Sequence, residues 1–366
     1  MPEAAVIRIG FIGAGGIVRQ RHIPGLKQVS GVELVGVCNS TPESSERAAR
    51  ELGIRRTFES PEQLIGSDEI DVVWIGTQPY LHSRLSIAAL QAGKHVFCQA
   101  RMAMDYADAK RMFEAWMRSD RTAMLCPPPH YMRGDRVIRR LLREGFVGRP
   151  YNVVARSFAD TYLDPSKPLH WRQMGNISGV NTLDVGMLAE VVHRWLGYMA
   201  SVSAQAITVI PERPPAEVHQ GHGQTKVERP DTLAVAARME NGALFSGLWS
   251  GVAKFADDPN AIEIYGSEGT IRYLAGTDAP GSGRILAGKV SGSALTEVPV
   301  AEAEARRWTV EADFIRAVRE GRRDPEPSFW DGLKYMELTD AIFRSAAEGQ
   351  AVKLPYDPEL ARPEPR

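Results

Sequence analysis

The feature that most constrains this chain is a rhythm in its first 125 or so residues. Short apolar runs, "VIRIGFI" (6–12), "VELVGVC" (32–38), "DVVWIGT" (71–77), "KHVFC" (94–98) and "TAMLC" (122–126), alternate with helix-like stretches such as "PESSERAARELG" and "DYADAKRMFEAWMRS". The runs are apolar at nearly every position, as expected of strands covered on both faces. Such strands belong in a parallel sheet whose crossover helices lie on either side. The first part of the chain is therefore expected to be an α/β domain with a doubly wound parallel sheet.

After "LLREGFVGRP" (141–150) the rhythm changes. "YNVVARSF" reads as a longer strand, and Asn241-Gly242 is a hairpin turn signal between "LAVAARME" and "ALFSGLW". "AIEIYGSEGTIRYL" forms another strand pair, and one long helix is expected over about 181–196. This pattern predicts an α+β domain with a predominantly antiparallel open sheet and helices to one side. The expected division is 1–126, 127–354 and a mobile Pro-rich tail at 355–366. The helices near 309–320 and 328–348 are free to pack back on the first domain. The polar, Pro/Gly-rich stretch 211–230 is expected to be a long surface loop.

A length of 366 residues agrees with two domains. The 44 basic and 45 acidic side chains nearly cancel, which leaves no electrostatic footprint for nucleic acid or an anionic membrane. No apolar run approaches the ~18 residues of a membrane span, and the N-terminal stretch has no signal-peptide pattern. The cysteines Cys38, Cys98 and Cys126 are odd in number and unpaired in spacing, against both a disulfide framework and a metal site. A reducing cytoplasm is expected.

Chemistry enters at "IGFIGAGGIV". Gly13-x-Gly15 lies between the first strand and a helix: Gly13 permits a tight turn, and Gly15 lets backbone amides approach a pyrophosphate. Gly16 and Ile17 continue this turn. Val18 stands where the third small residue of a dinucleotide fingerprint falls, so strand and helix are expected to pack slightly further apart. The second strand ends in Asn39, Ser40 and Thr41, which carry neither an acid for a ribose 2′-hydroxyl nor an adjacent arginine for a 2′-phosphate. NAD and NADP both remain open.

Taken together, "GAGGI", "TQPYLH", "AALQAGKHVFC", "HWRQMGNISGVNTLDVGMLAEVVHRWLG", "MENGALFSGLW", "IEIYGSEGTI" and "EADFIRAV" resemble the Gfo/Idh/MocA family of sugar and polyol oxidoreductases. The resemblance spans about residues 6 to 355. It implies a dinucleotide-binding domain, a sugar-like substrate, and a homodimer or homotetramer built through the open sheet. It also implies cofactor contacts from Thr77, Gln78, Gln99 and Arg172, while His82, which opens the helix after a strand end, reads equally as a cofactor contact or as a helix cap and loop anchor.

Family members typically carry Glu-Lys-Pro after the "GKHV" strand and an Asp-x-Gly-x-His-x-x-Asp helix. A base there takes the hydroxyl proton while an ammonium stabilises the developing alkoxide. This chain has Gln99-Ala100-Arg101 in the first motif and Asp184-x-Gly186-x-Leu188-x-x-Val191 in the second. His193 lies about 180° around the helix from Asp184 and reads as structural. In an extended segment Arg101 would point to the side of Gln99, and its guanidinium can hold an anion but cannot act as a base.

The expected catalytic groups are thus Asp184, Arg101, His130 and Tyr131, with Trp171, Asn181 and Asp184 on a sugar ring and its hydroxyls. Three functions are compatible with these residues. They are an oxidoreductase with an altered catalytic set, a redox-neutral lyase or glycoside-cleaving enzyme that keeps its NAD, and a non-catalytic sensor.

Overall fold

The computed structural model describes residues 6–128, 133–216, 223–276 and 283–361. The chain divides into two compact units. The described part of the first comprises residues 6–127 and 309–333; the second holds those between 128 and 308 together with 334–361.

The first unit is a six-stranded, wholly parallel sheet of β1 (Ile7–Ile12), β2 (Val32–Cys38), β3 (Arg56–Thr57), β4 (Val72–Ile75), β5 (His95–Cys98) and β6 (Ala123–Leu125). Their order is β3-β2-β1-β4-β5-β6, which reverses direction between β1 and β4. In such a sheet ligands bind beyond the carboxyl ends of the strands at that switch point. The crossovers are α1 (Ile23–Leu26), α2 (Pro42–Leu52), α3 (Pro61–Gly66), α4 (Pro79–Gln91) and α5 (Tyr106–Met117). Their starts are legible: the Thr41, Ser60 and Asp105 side chains each accept a first-turn N–H, and Pro occupies the first turn of α2, α3 and α4. On one face Gly10 makes room for Leu64 of α3. On the other, Trp74 stacks on Phe97 at 3.8 Å and both meet the ring of Phe314 edge-on. Phe314 comes from the late helix Val310–Arg319, which completes this core.

In the second unit α6 (Asp135–Arg143), α7 (Gly175–Ser178) and α8 (Val185–Leu196) accompany β7 (Pro150–Phe158) and β8 (Met199–Ile207). Further strands are β9 (Glu212–Arg213), β10 (Thr225–Lys226), β11 (Thr232–Met239), β12 (Leu244–Ser250), β13 (Asn260–Gly266), β14 (Gly269–Leu274), β15 (Arg284–Lys289) and β16 (Thr296–Val298). The late helix Val310–Arg319 is α9, and α10 (Phe329–Glu348) and β17 (Val352–Lys353) follow it. Nine strands form one sheet in the order β16-β15-β14-β13-β7-β12-β11-β8-β17. Its pairs are antiparallel except β7–β12, so the sheet is mixed but mostly antiparallel. Burial alternates strictly along β11, as it must when one face is covered. The other face leaves Leu244 and Leu248 exposed at 52% and 41%.

Two expectations need correction. The stretch 211–230 is more than a loop, because β9 and β10 pair as a ribbon. Within it Arg213 is 1% exposed, its guanidinium donating to main-chain oxygens of Tyr162 and Asp164. The tail is anchored through its first residues. The Tyr356 N–H donates to Glu337 Oε1 at 2.7 Å and its hydroxyl donates to Asp340 at 3.2 Å.

Candidate active site

In the first unit the site begins at the glycine turn. Gly13 has φ +84°, and a Cβ there would collide with Thr77, so no other residue fits without strain. The turn is pinned from behind: the Gly13 N–H donates to Cys38 O at 2.9 Å and the Ala14 N–H to Asn39 Oδ1 at 2.8 Å. Gly15 and Gly16 are exposed, and a Cβ on Gly16 would meet nothing within 4 Å. That open approach fits a pyrophosphate. Val18, at the fingerprint's third position, is fully buried. Gly76, at the end of β4, has no side chain where Val18 Cγ2 and the Gly13 carbonyl approach it, so the small residue has moved to the strand. The helix also opens with a π-turn at Val18–His22.

Asn39 serves the loop. Its Oδ1 takes the Ala14 N–H and its Nδ2 donates to Ser44 O at 3.0 Å. Thr41 Oγ1 caps α2. Ser40 is the exposed member of this trio not drawn into those bonds. Beyond β4, Thr77 Oγ1 is buried without a hydrogen-bond partner among the described residues, an orphaned polar atom at the carboxyl edge where a dinucleotide would lie. Gln78 caps α4 by position, without a side-chain bond.

Of its two readings, His82 matches the loop anchor in its contacts. It is fully buried, with Nε2 3.0 Å from Thr77 O and Nδ1 2.9 Å from Arg101 O. Burial lowers its pKa, opposed by those carbonyl contacts. With no exposed surface, its ring ties the loop after β4 to the segment after β5. That segment is a bend and not a strand, so strand alternation does not orient Arg101. Arg101 is 6% exposed and Gln99 7%. The Gln99 amide nitrogen bonds Nε2 of His22, whose Nδ1 lies 2.5 Å from Glu311 Oε1. Cys98 is no nucleophile: burial pushes its thiol up to about 12, and that of Cys126 upward as well.

In the second unit a compact turn leads into α8. His170 Nδ1 accepts the Arg172 N–H at 3.2 Å, and the Arg172 guanidinium lies 4.2 Å over the Trp171 ring. Burial lowers the His170 pKa, with Arg172 adding to the effect. Asn181 is 4% exposed and its amide nitrogen donates to Ser178 O at 2.6 Å, which ties much of it into the turn. Leu183 has φ +47°, rare for a leucine and costing about 1 kcal/mol. Asp184 then stands at the N-cap position of α8, its carbonyl accepting the Leu188 N–H, while its carboxylate does not cap the helix.

Leu188 and Val191 are both fully buried, and Leu188 lines a small apolar cavity with Val185, Val235, Phe245 and Trp249. His193 packs edge-on against Tyr198. Burial and Lys334 lower its pKa to about 3. His130 and Tyr131 lie outside the described residues.

Sequence reasoning missed His22, Glu311 and Gly76. The first two are 289 positions apart, and neither lies in a motif that names its partner.

Residues 7–125 match the model of an oxidoreductase family with an NAD-binding Rossmann fold, and residues 136–272 match a GFO/IDH/MocA C-terminal domain. The chain is 28% identical to a levoglucosan dehydrogenase of Pseudarthrobacter phenanthrenivorans, over 87% of this chain and 89% of that protein. It is also 28% identical to a 1,5-anhydro-D-fructose reductase of Ensifer adhaerens, over 95% and 98% of the two chains. A levoglucosan dehydrogenase solved with NADH and levoglucosan superposes with a TM-score of 0.83 at 25% identity, covering 95% of this chain and 99% of that one.

Proposed function

The chain belongs to the Gfo/Idh/MocA oxidoreductases, and from that membership we propose that it interconverts a secondary hydroxyl and a carbonyl on a sugar, anhydrosugar or polyol, using NAD or NADP. The observation that carries this reading is the open glycine turn beside the orphaned Thr77 hydroxyl, at the sheet's switch point. Gly15 and Gly16 would hold the dinucleotide's pyrophosphate, and Ser40 would meet the adenosine ribose. When bound, the nicotinamide supplies or accepts the hydride.

Proton chemistry falls to Asp184, because Leu188 and Val191 are apolar and position 100 is alanine. The Asp184 carboxylate takes the hydroxyl proton, and Arg101 donates hydrogen bonds to an anionic oxygen. Trp171 offers an apolar face to a sugar ring. His130 and Tyr131 are the further candidates for the proton path. The three buried free cysteines suit a reducing compartment, and we place the enzyme in the cytoplasm.

Asp184→Asn keeps the shape and removes the charge. We expect turnover to fall by about 10²–10⁴ while NADH affinity, read by calorimetry, stays unchanged. An Asp184→Asn variant as active as its parent would move the proton acceptor to His130 or Tyr131.

A further inference from the structure

Gln99 follows β5 at the carboxyl edge of the first unit's sheet. Behind it runs a buried line of polar groups, Gln99 to His22 to Glu311, in which His22 is fully buried and Glu311 is 2% exposed. The line has a direction. A carboxylate only accepts, so the imidazole proton lies on Nδ1, and in the neutral ring Nε2 is then an acceptor. Nε2 takes the Gln99 amide hydrogen, which turns the Gln99 carbonyl oxygen away from His22. No hydrogen bond among the described residues uses that oxygen.

The ring cannot swing to another arrangement, because Trp74 and Phe97 flank it with centroids at 5.0 and 5.2 Å. Nor is the approach of Glu311 incidental. A Cβ on Gly25 would collide with its carboxylate, so α1 is cut back at one residue to admit it.

We propose that Glu311 and His22 are positioning residues that set the polarity of the Gln99 amide, so that its oxygen accepts a hydrogen bond from the carboxamide of a bound nicotinamide. The proposal rests on the cofactor reading above. The glycine turn after β1 takes the pyrophosphate and the end of β2 the adenosine ribose, which leaves the ends of β4 and β5 for the nicotinamide half. An apolar trio could fill the same volume without the desolvation that a buried carboxylate incurs. What it could not do is fix which end of an amide faces outward.

The test is a set of dissociation constants for NADH and for ADP-ribose, which lacks the nicotinamide. Gln99→Met removes the acceptor at similar length and is expected to weaken NADH about tenfold, the worth of one hydrogen bond. In Glu311→Gln the new amide can donate to Nδ1, which shifts the ring proton to Nε2 and turns the Gln99 oxygen inward. A similar NADH loss is expected. The double variant Gln99→Met/Glu311→Gln should lose no more than Gln99→Met alone, since the relay acts only through Gln99. ADP-ribose affinity should stay constant throughout. Additive losses, or a parallel fall in ADP-ribose affinity, would make the trio purely structural and overturn the proposal. Parental NADH affinity in the variants would overturn the relay alone, whereas a wild type that binds neither ligand would overturn the cofactor reading with it.

Discussion

At the scale of single residues, the two glycines of the turn do different work and should fail differently. Gly13 sits at positive φ against Thr77, so a side chain there strains the fold itself. The Cβ site of Gly15 is 4.0 Å from its nearest neighbour, Gly76 O, so the free protein has room for a side chain. Gly15→Val is therefore expected to melt within a few degrees of the parent and to lose measurable NADH binding in calorimetry. Unchanged affinity would remove the pyrophosphate assignment. The sequence made this pair readable because a fingerprint is local, its residues adjacent and their roles set by backbone geometry. It left His82 with two readings, a loop anchor and a cofactor contact. "TQPYLH" places that histidine beside the cofactor edge, but only three-dimensional packing shows both nitrogens turned to main-chain oxygens.

Among the elements, α8 shows most clearly what pattern can and cannot reveal. Asp184 is legible from its motif, and the helix from its periodicity. The heptad-like stripe of Leu188, Val191 and Val192 gives no sign of whether it faces a ligand or a core. The structure puts Leu188 among Val185, Val235, Phe245 and Trp249. Restoring the family's histidine by Leu188→His would thus bury an imidazole in an apolar core. A loss of about 2–4 kcal/mol in denaturant unfolding is expected, with no gain in rate even beside Ala100→Lys. A stable Leu188→His/Ala100→Lys enzyme that turned over faster than its parent would contradict this packing argument. The same limit explains β9 and β10. Two-residue strands carry no periodicity to read, and what secures their ribbon, Arg213 on distant main-chain oxygens, is non-local. Long elements fared better, since β11 and β12 announce both their burial pattern and their Asn241-Gly242 turn.

For the whole molecule, one face of the nine-stranded sheet carries exposed apolar side chains. Leu244 and Leu248 stand exposed on it, and a groove of about 640 Å³ runs past Val154, Ala234, Ala236 and Leu248. Self-association through this face is expected, and Leu248→Arg should shift the particle toward the monomer in light scattering. A wild type already monomeric at micromolar concentration would rule it out. The first unit holds a different consequence. Its core closes only when α9 lays Phe314 against Trp74 and Phe97, yet β7 to β16 of the second unit are encoded between β6 and α9. At cellular rates of translation that interval lasts roughly 10–40 s, during which the aromatic face has been made and its lid has not. A nascent chain thus carries an incomplete nucleotide fold through that interval, with Trp74 and Phe97 still lacking Phe314.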